Sequence, residues 1–187
     1  MHTAAFAAMG CPYRPLDQLA NDIRMLLADT DALFLDGRGL THMEIAALRS
    51  RLPHFLDMCQ ELSTHRLPYA LEHGDFGPAN VAWVKEAPLF FDWSDSSVTH
   101  PFFSMCFFPG EIEEAFSTAP NWQHRQQTAY LEAWTHDESL EQLQRAFEIA
   151  QGLGPLHHAS RYHRYILPRM EAKWEMELMI PAYLRCL

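Results

Sequence analysis

Residues 69–95, YALEHGDFGPANVAWVKEAPLFFDWSD, restrict what this chain can fold into more than any other stretch. A turn-rich loop, His73-Gly74-Asp75-Phe76-Gly77-Pro78-Ala79-Asn80, precedes two short apolar runs at 81–84 and 89–91. Gly, Pro, Asp and Asn each favour turns for a different physical reason. The two runs are rich in Val, Phe and Trp, which suit strands, and Lys85-Glu86-Ala87-Pro88 is expected to reverse the chain between them. A loop feeding a hairpin would carry Asp75, Asn80 and Asp92 towards one another.

That grouping has a chemical use. Asn80 offers an amide oxygen and Asp92 a carboxylate. Magnesium takes hard oxygen donors, typically one or two protein side chains together with substrate phosphates. Asp75 would then be left to accept the proton of an attacking hydroxyl. Asp, Asn five residues on, and Asp after a hairpin is the order of the catalytic and metal loops of protein kinases. The pattern His73-Gly74-Asp75, Asn80, short hairpin, Asp92-Trp93 resembles the aminoglycoside phosphotransferase and choline kinase-like family of small-molecule kinases. Asp92-Trp93-Ser94-Asp95 with His100-Pro101-Phe102-Phe103, AYLEAW at 129–134 and LHHASRYHRYI at 156–166 look like a bacterial branch of it.

The resemblance covers essentially the whole chain but only the family's carboxy-terminal lobe. It implies an α+β, mainly helical, protein-kinase-like lobe with a small β-hairpin at the catalytic loop, a single domain over 1–187. It implies transfer of the γ-phosphate of ATP, or of another nucleoside triphosphate, to a hydroxyl of a small acceptor, cationic or neutral. Asp75 would be the catalytic base, and Asn80 and Asp92 would hold Mg2+ and through it the nucleotide. His73, Gly74 and Trp93 would brace the loop. Asp95 is a further carboxylate for substrate or metal, with turn capping as the simpler role.

Two departures matter. Related sequences usually carry an acidic residue shortly after Pro-Phe-Phe, where this chain has Ser104. The resemblance implies that the parts that clamp nucleotide phosphates, a glycine-rich loop and a strand lysine, belong to a separate amino-terminal lobe preceding the stretch seen here. Only Lys85 and Lys173 are lysines, both after the Asp75–Asn80 loop, and there is no G-x-G-x-x-G. An incomplete enzyme is therefore expected, either a fragment of a larger phosphotransferase or a half-enzyme completed by an amino-terminal lobe partner or by a homodimer. The alternative is a non-catalytic binding or interaction module that kept the fold and lost the reaction.

Composition narrows the partners. The net charge of −10 disfavours non-specific nucleic-acid binding, which needs clustered Lys and Arg, and suits a cationic ligand through long-range attraction. Cys11, Cys59, Cys106 and Cys186 are scattered, with no C-x-x-C pair to indicate zinc. The start, MHTAAFAAMGC, lacks the basic flank of a signal peptide, and no apolar run reaches the length of a membrane span. A reduced, cytoplasmic protein without membrane attachment is expected. Among the 11 histidines, adjacent His157 and His158 point about 100° apart on a helix and read as packing residues; His100, before a proline, reads as scaffold.

Residues 1–14 show no periodicity and read as a lead-in. Pro15 is placed to open a helix carrying Leu16, Leu19, Ile23, Leu26 and Leu27. Residues 29–40, with Gly37 and Gly39, read mostly as loop. Thr41-His42-Met43-Glu44 is a capping box that starts a helix to about Ser63, with a kink or restart near Ser50 because of Pro53. Residues 101–108 read as one short buried helix. Further helices are expected at 122–134 behind Asn121, from Asp137 or Ser139 to about Gln151, from Gly154-Pro155 to Tyr165, and from Pro168 to about Ile180. The Met, Trp and Leu residues of 170–187 read as core. The acidic runs at 111–114 and 171–177 read as solvated helix faces, or as the lining of a site for a cationic acceptor.

Overall fold

A computed structural model describes residues 3–116 and 120–187. The helices are α1 (Thr3–Ala8), α2 (Leu16–Ala28), α3 (Thr30–Phe34), α4 (His42–Ser50) and α5 (Leu52–Ser63). They continue with α6 (Phe108–Ala115), α7 (Trp122–Glu132), α8 (Leu140–Arg161) and α9 (Met179–Leu184). The strands are β1 (Ala70–Glu72), β2 (Val81–Val84), β3 (Ala87–Phe90) and β4 (Ser97–Thr99). The protein is mainly helical with two small antiparallel sheets. Its contacts form two compact units, one of residues 1–15 and 65–151, the other of 16–64 and 152–187.

In the first unit, β1 pairs with β4 in the register Ala70↔Thr99, Leu71↔Val98 and Glu72↔Ser97. The presumed lead-in joins this sheet, although Met1 and His2 lie outside the described residues. The Val98 amide donates to the Pro12 carbonyl (2.8 Å) and the Arg14 amide to the Val98 carbonyl (2.9 Å), a parallel bridge centred on Tyr13. β4 is thus flanked on both edges and wholly buried. Beneath it lies an aromatic cluster in which Phe102, fully buried, packs edge-on or tilted against Tyr130, Trp134 and Phe147.

The 101–108 segment is not one helix. A 3-10 turn, Pro101–Met105, is followed by α6, with Pro109 in its first turn. Proline there loses only an amide that a helix start leaves unbonded anyway, so Pro109 begins a helix rather than ending one. The two helices expected on either side of 152–154 are likewise one, α8, with Pro155 inside it. A proline in mid-helix leaves the carbonyl four residues back without its usual donor; for Pro155 that carbonyl is Gln151, and the Cys106 thiol turns towards it at 3.9 Å.

In the second unit, α2 buries Leu16, Leu19, Ile23, Leu26 and Leu27 and packs on α5, which contributes Phe55, Cys59 and Leu62. Asp22 lies fully buried within the same α2 stripe. Gln18 Nε2 and the Tyr165 hydroxyl donate to its two oxygens at 2.8 and 3.0 Å, and Arg164 Nε stands 3.5 Å away. Burying a carboxylate is tolerable only with such partners. Residues 29–40 hold more structure than expected: Asp29 caps α3 by accepting the Ala32 amide, and Leu33 is buried. The chain then leaves through left-handed Leu35, Asp36 and Gly37.

The expected capping box is present, and α4 gives way to α5 at Arg51, just before Pro53. The C-terminal segment departs from the periodic reading. Two 3-10 turns, Leu167–Arg169 and Met176–Leu178, replace the helix from Pro168, and Trp174 is 82% exposed. Pro181 sits in the first turn of α9 instead of ending a helix, and of residues 170–187 only Ile180, Pro181 and Leu184 are buried.

Glu44 titrates at about 2, held down first by the Thr41 amide, then by the Thr41 hydroxyl, then by Arg185. A carboxyl depressed on folding stabilises above its unfolded pKa, and that contribution disappears as pH falls through the folded value. Glu44→Gln is therefore expected to lower the thermal midpoint at pH 7, with the deficit shrinking between about pH 4.5 and 2. A deficit that stays constant over that range in parallel thermal melts would contradict the capping role of the charge.

Candidate functional site

The loop leaves β1 at Glu72 and is held by one imidazole. His73 is buried, with Nε2 2.9 Å from the Phe91 carbonyl and Nδ1 accepting the Asp75 amide at 3.4 Å. A carbonyl only accepts, so Nε2 carries the proton and Nδ1 presents its lone pair. This neutral tautomer ties the backbone of Asp75 to the residue preceding Asp92. The Trp93 ring lies 4.6 Å from the His73 ring, and its indole N–H donates to the Phe90 carbonyl. Gly74 takes φ +86°, a left-handed conformation that a side chain would strain.

Asp75 and Asn80 meet directly. The Asn80 amide nitrogen donates to the Asp75 carbonyl at 2.8 Å and to Asp75 Oδ2 at 3.0 Å. The Pro78–Asn80 segment is a 3-10 turn with Pro78 in its first position, so the peptide brings residue 80 back over residue 75. Among the described residues no hydrogen bond to Asn80 Oδ1 occurs.

The hairpin carries Asp92 to the same neighbourhood by backbone. β2 and β3 pair Val81↔Phe90, Ala82↔Leu89, Trp83↔Pro88 and Val84↔Ala87. The reversal is tighter than expected: Lys85 and Glu86, both at positive φ, form a two-residue turn, while Ala87 and Pro88 belong to β3. Positive φ at both positions matches the right-handed twist of the strands. Pro88 then falls on a non-hydrogen-bonded pair of an edge strand, where its missing amide costs nothing. One step further, the Phe91 amide donates to the Asn80 carbonyl at 3.2 Å.

Asp92 follows in a left-handed conformation, exposed, with Oδ1 accepting the Ser94 hydroxyl at 2.8 Å. The structure thus joins Asp75 to Asn80 by side chain, and Asn80 to the residue before Asp92 by backbone. Asp95 ends the 3-10 turn Trp93–Asp95 and is half-buried. No group of three or more His, Cys, Asp or Glu placed to hold a metal occurs among the described residues. One amide and one carboxylate oxygen fit a magnesium ion only in company with phosphate and water oxygens.

Two acidic residues near the loop went unnoticed or undecided in the sequence. Glu72, fully buried, accepts the Gly74 amide. Glu111 on α6 places a carboxylate oxygen 2.3 Å from where a β-carbon on Gly77 would stand, so that glycine makes room for it. Phe76 stacks on Phe108 at 4.5 Å and brings the start of α6 against the Pro78–Asn80 turn. Burial first, then the charges of Asp75 and Glu114, push the Glu111 carboxyl above its ordinary value. The expected solvated helix face thus turns one carboxylate towards the loop.

His100 is buried at an extended position before Pro101, and its Nδ1 accepts the Phe102 amide. Burial, and then His65, bring it down to about 3, so it is neutral scaffold. His157 and His158 are buried packing residues in ring contact with each other, and His158 also meets Tyr183.

The chain matches no protein-family model, no curated protein and no solved structure. Among the described residues no helix is long and apolar enough to cross a membrane.

The charge of Asp75 is the second cause of Glu111's upward shift. In Asp75→Asn, Glu111 is expected to titrate lower than in the unaltered protein while burial keeps it above the ordinary carboxylate value. Carboxyl-carbon NMR titration measures this; an unchanged Glu111 titration would separate the two groups.

Proposed function

We propose that the chain is the kinase-like carboxy-terminal lobe of an ATP-dependent small-molecule phosphotransferase, acting on a hydroxyl of a small cationic acceptor. The observation that carries this reading is the bonded Asp75–Asn80 pair, held by His73 to the end of the hairpin that bears Asp92. Phosphoryl transfer demands mostly positioning and charge stabilisation. Asp75 is exposed and oriented by the Asn80 amide, as a carboxylate that accepts a hydroxyl proton must be. Asn80 Oδ1 and Asp92 Oδ2 are the oxygens that would hold Mg2+, which, when bound, neutralises phosphate charge. Glu111 beside Asp75 adds negative charge where a cationic acceptor would lie.

A second reading, a binding or interaction module without turnover, is favoured by the hairpin surface. Trp83 is 72% exposed, and Val84, Leu89, Phe90, Phe91 and Trp93 are all at least 40% exposed. Such a patch marks an interaction site in a folded protein. It equally suits a kinase lobe that works with a partner or a second copy.

Mg2+ with an ATP analogue at about 100 times its dissociation constant would stabilise the fold by about 2.7 kcal/mol, a rise of roughly 5–10 °C for a chain of this size. Asn80→Ala and Asp92→Ala are expected to abolish that rise. Asp75→Ala should keep it while removing any ATP turnover. No rise in the unaltered protein, with both metal-side variants indistinguishable from it, would remove the magnesium assignment.

A further inference from the structure

Glu72 has no part in the pattern that drew attention to the loop, yet it occupies the centre of the loop's support. It is the last residue of β1, fully buried, directly across from Ser97 of β4. Its Oε1 accepts the Gly74 amide at 2.7 Å, and its Oε2 lies 3.4 Å from the Ser97 hydroxyl, which donates to it. A buried carboxylate is costly, and hydrogen bonds to a charged acceptor are stronger and shorter than neutral ones. The Gly74 peptide is the one that turns left-handed immediately before Asp75. Tyr130, buried nearby, donates its hydroxyl to the Pro101 carbonyl, and burial first and Glu72 second push it above its ordinary value.

We propose that Glu72 is a positioning residue for Asp75: its buried carboxylate clamps the Gly74 amide against β4 and thereby fixes the Asp75 carboxylate where Asn80 bonds it. As a role in phosphoryl transfer, this rests on the function proposed above; as a structural linkage it does not. The chain of contacts is short. Glu72 holds the peptide of residue 74, residue 75 follows directly, and Asn80 Nδ2 reports the position of Asp75 through its bond to Oδ2. His73 holds the same segment from the other side, through the Asp75 amide. Two consecutive amides, 74 and 75, are therefore each bonded to a different buried side chain. The register Glu72↔Ser97 sets one of them, and the hairpin end sets the other.

The test is residue-resolved NMR of the full chain, with amide exchange at Gly74 and the side-chain amide of Asn80 as the two readouts. In Glu72→Ala, Gly74 exchange is expected to rise about ten- to a hundredfold, the range for losing a hydrogen bond to a charged group. The Asn80 side-chain amide protons should shift at the same time. Glu72→Gln keeps an oxygen for the Gly74 amide, so its exchange should rise less than in Glu72→Ala, with the Gly74 proton moving upfield as the charge is lost. Unchanged Gly74 exchange in a folded Glu72→Ala protein would overturn the proposal. So would a freed Gly74 with an unmoved Asn80 amide, because the carboxylate would then secure a turn without positioning Asp75. If Glu72→Ala does not fold, Glu72→Gln decides: an unmoved Gly74 proton overturns the clamp. None of these readouts needs metal or turnover, so failure of the magnesium assignment leaves this test standing.

Discussion

The candidate site depends on a histidine with both ring nitrogens committed. Because Nε2 of His73 faces a carbonyl and Nδ1 faces an amide, only the neutral Nε2–H tautomer satisfies both bonds. Each bond lands on backbone, one at Asp75 and one at Phe91. Segments 16 residues apart are thereby set against each other by a side chain outside the Asp75–Asn80 pair. Burial and the adjoining Trp93 ring keep water from competing for either nitrogen. Protonating the ring would turn Nδ1 from acceptor to donor and set it against the Asp75 amide, so the brace works only while the imidazole is neutral.

A brace of that kind needs a rigid background, and a very small sheet supplies it. β1 and β4 are three residues each, a length that would be marginal in isolation. The parallel bridge from Tyr13 adds a third edge, and the Thr99 hydroxyl donates to the Arg14 carbonyl at 2.8 Å. The aromatic cluster around Phe102 supplies the burial that such short strands lack. The sheet's last pair, Glu72↔Ser97, is where ordinary β-structure ends and the loop begins. Polar residues at that pair are not errors in the core: Ser97 donates to Glu72, and Glu72 accepts the Gly74 amide of the loop.

How much of this was legible in the sequence varies with the physics behind each element. The α2 stripe, the capping box and the break at Pro53 are local signals that appear where the pattern puts them, and the hairpin appears with a tighter turn. Elements decided by distant partners were not legible. Residues 12–14 carry no strand pattern because their order comes from hydrogen bonds to Val98. Pro155 reads as a helix boundary, but burial on both sides outweighs the lost hydrogen bond. The periodic residues after Pro168 do not make a helix, since Trp174 and Glu175 adopt left-handed backbone there. Asp75, Asn80 and Asp92 stand out by spacing; Glu72 and Glu111 do not, because their significance lies in what faces them across a sheet and from a neighbouring helix.

The electrostatics of the loop explain why the proposed acceptor is a cation. Among the described residues neither Asp75 nor Glu111 takes part in an ion pair, and the one side-chain donor to Asp75 is the neutral Asn80 amide. Two carboxylates held close without a counter-charge can be relieved in two ways. One is internal: Glu111 keeps its proton to a higher pH than an ordinary glutamate. The other is external: a bound cation supplies the missing charge. Both draw on the same negative charge, so by linkage a cation bound there lowers the pH at which Glu111 gives up its proton. In the proposed reading, the part of Glu111's upward shift that comes from Asp75, second to burial, is the cost of leaving Asp75 available as a base, and an acceptor that brings its own positive charge reduces that part on binding.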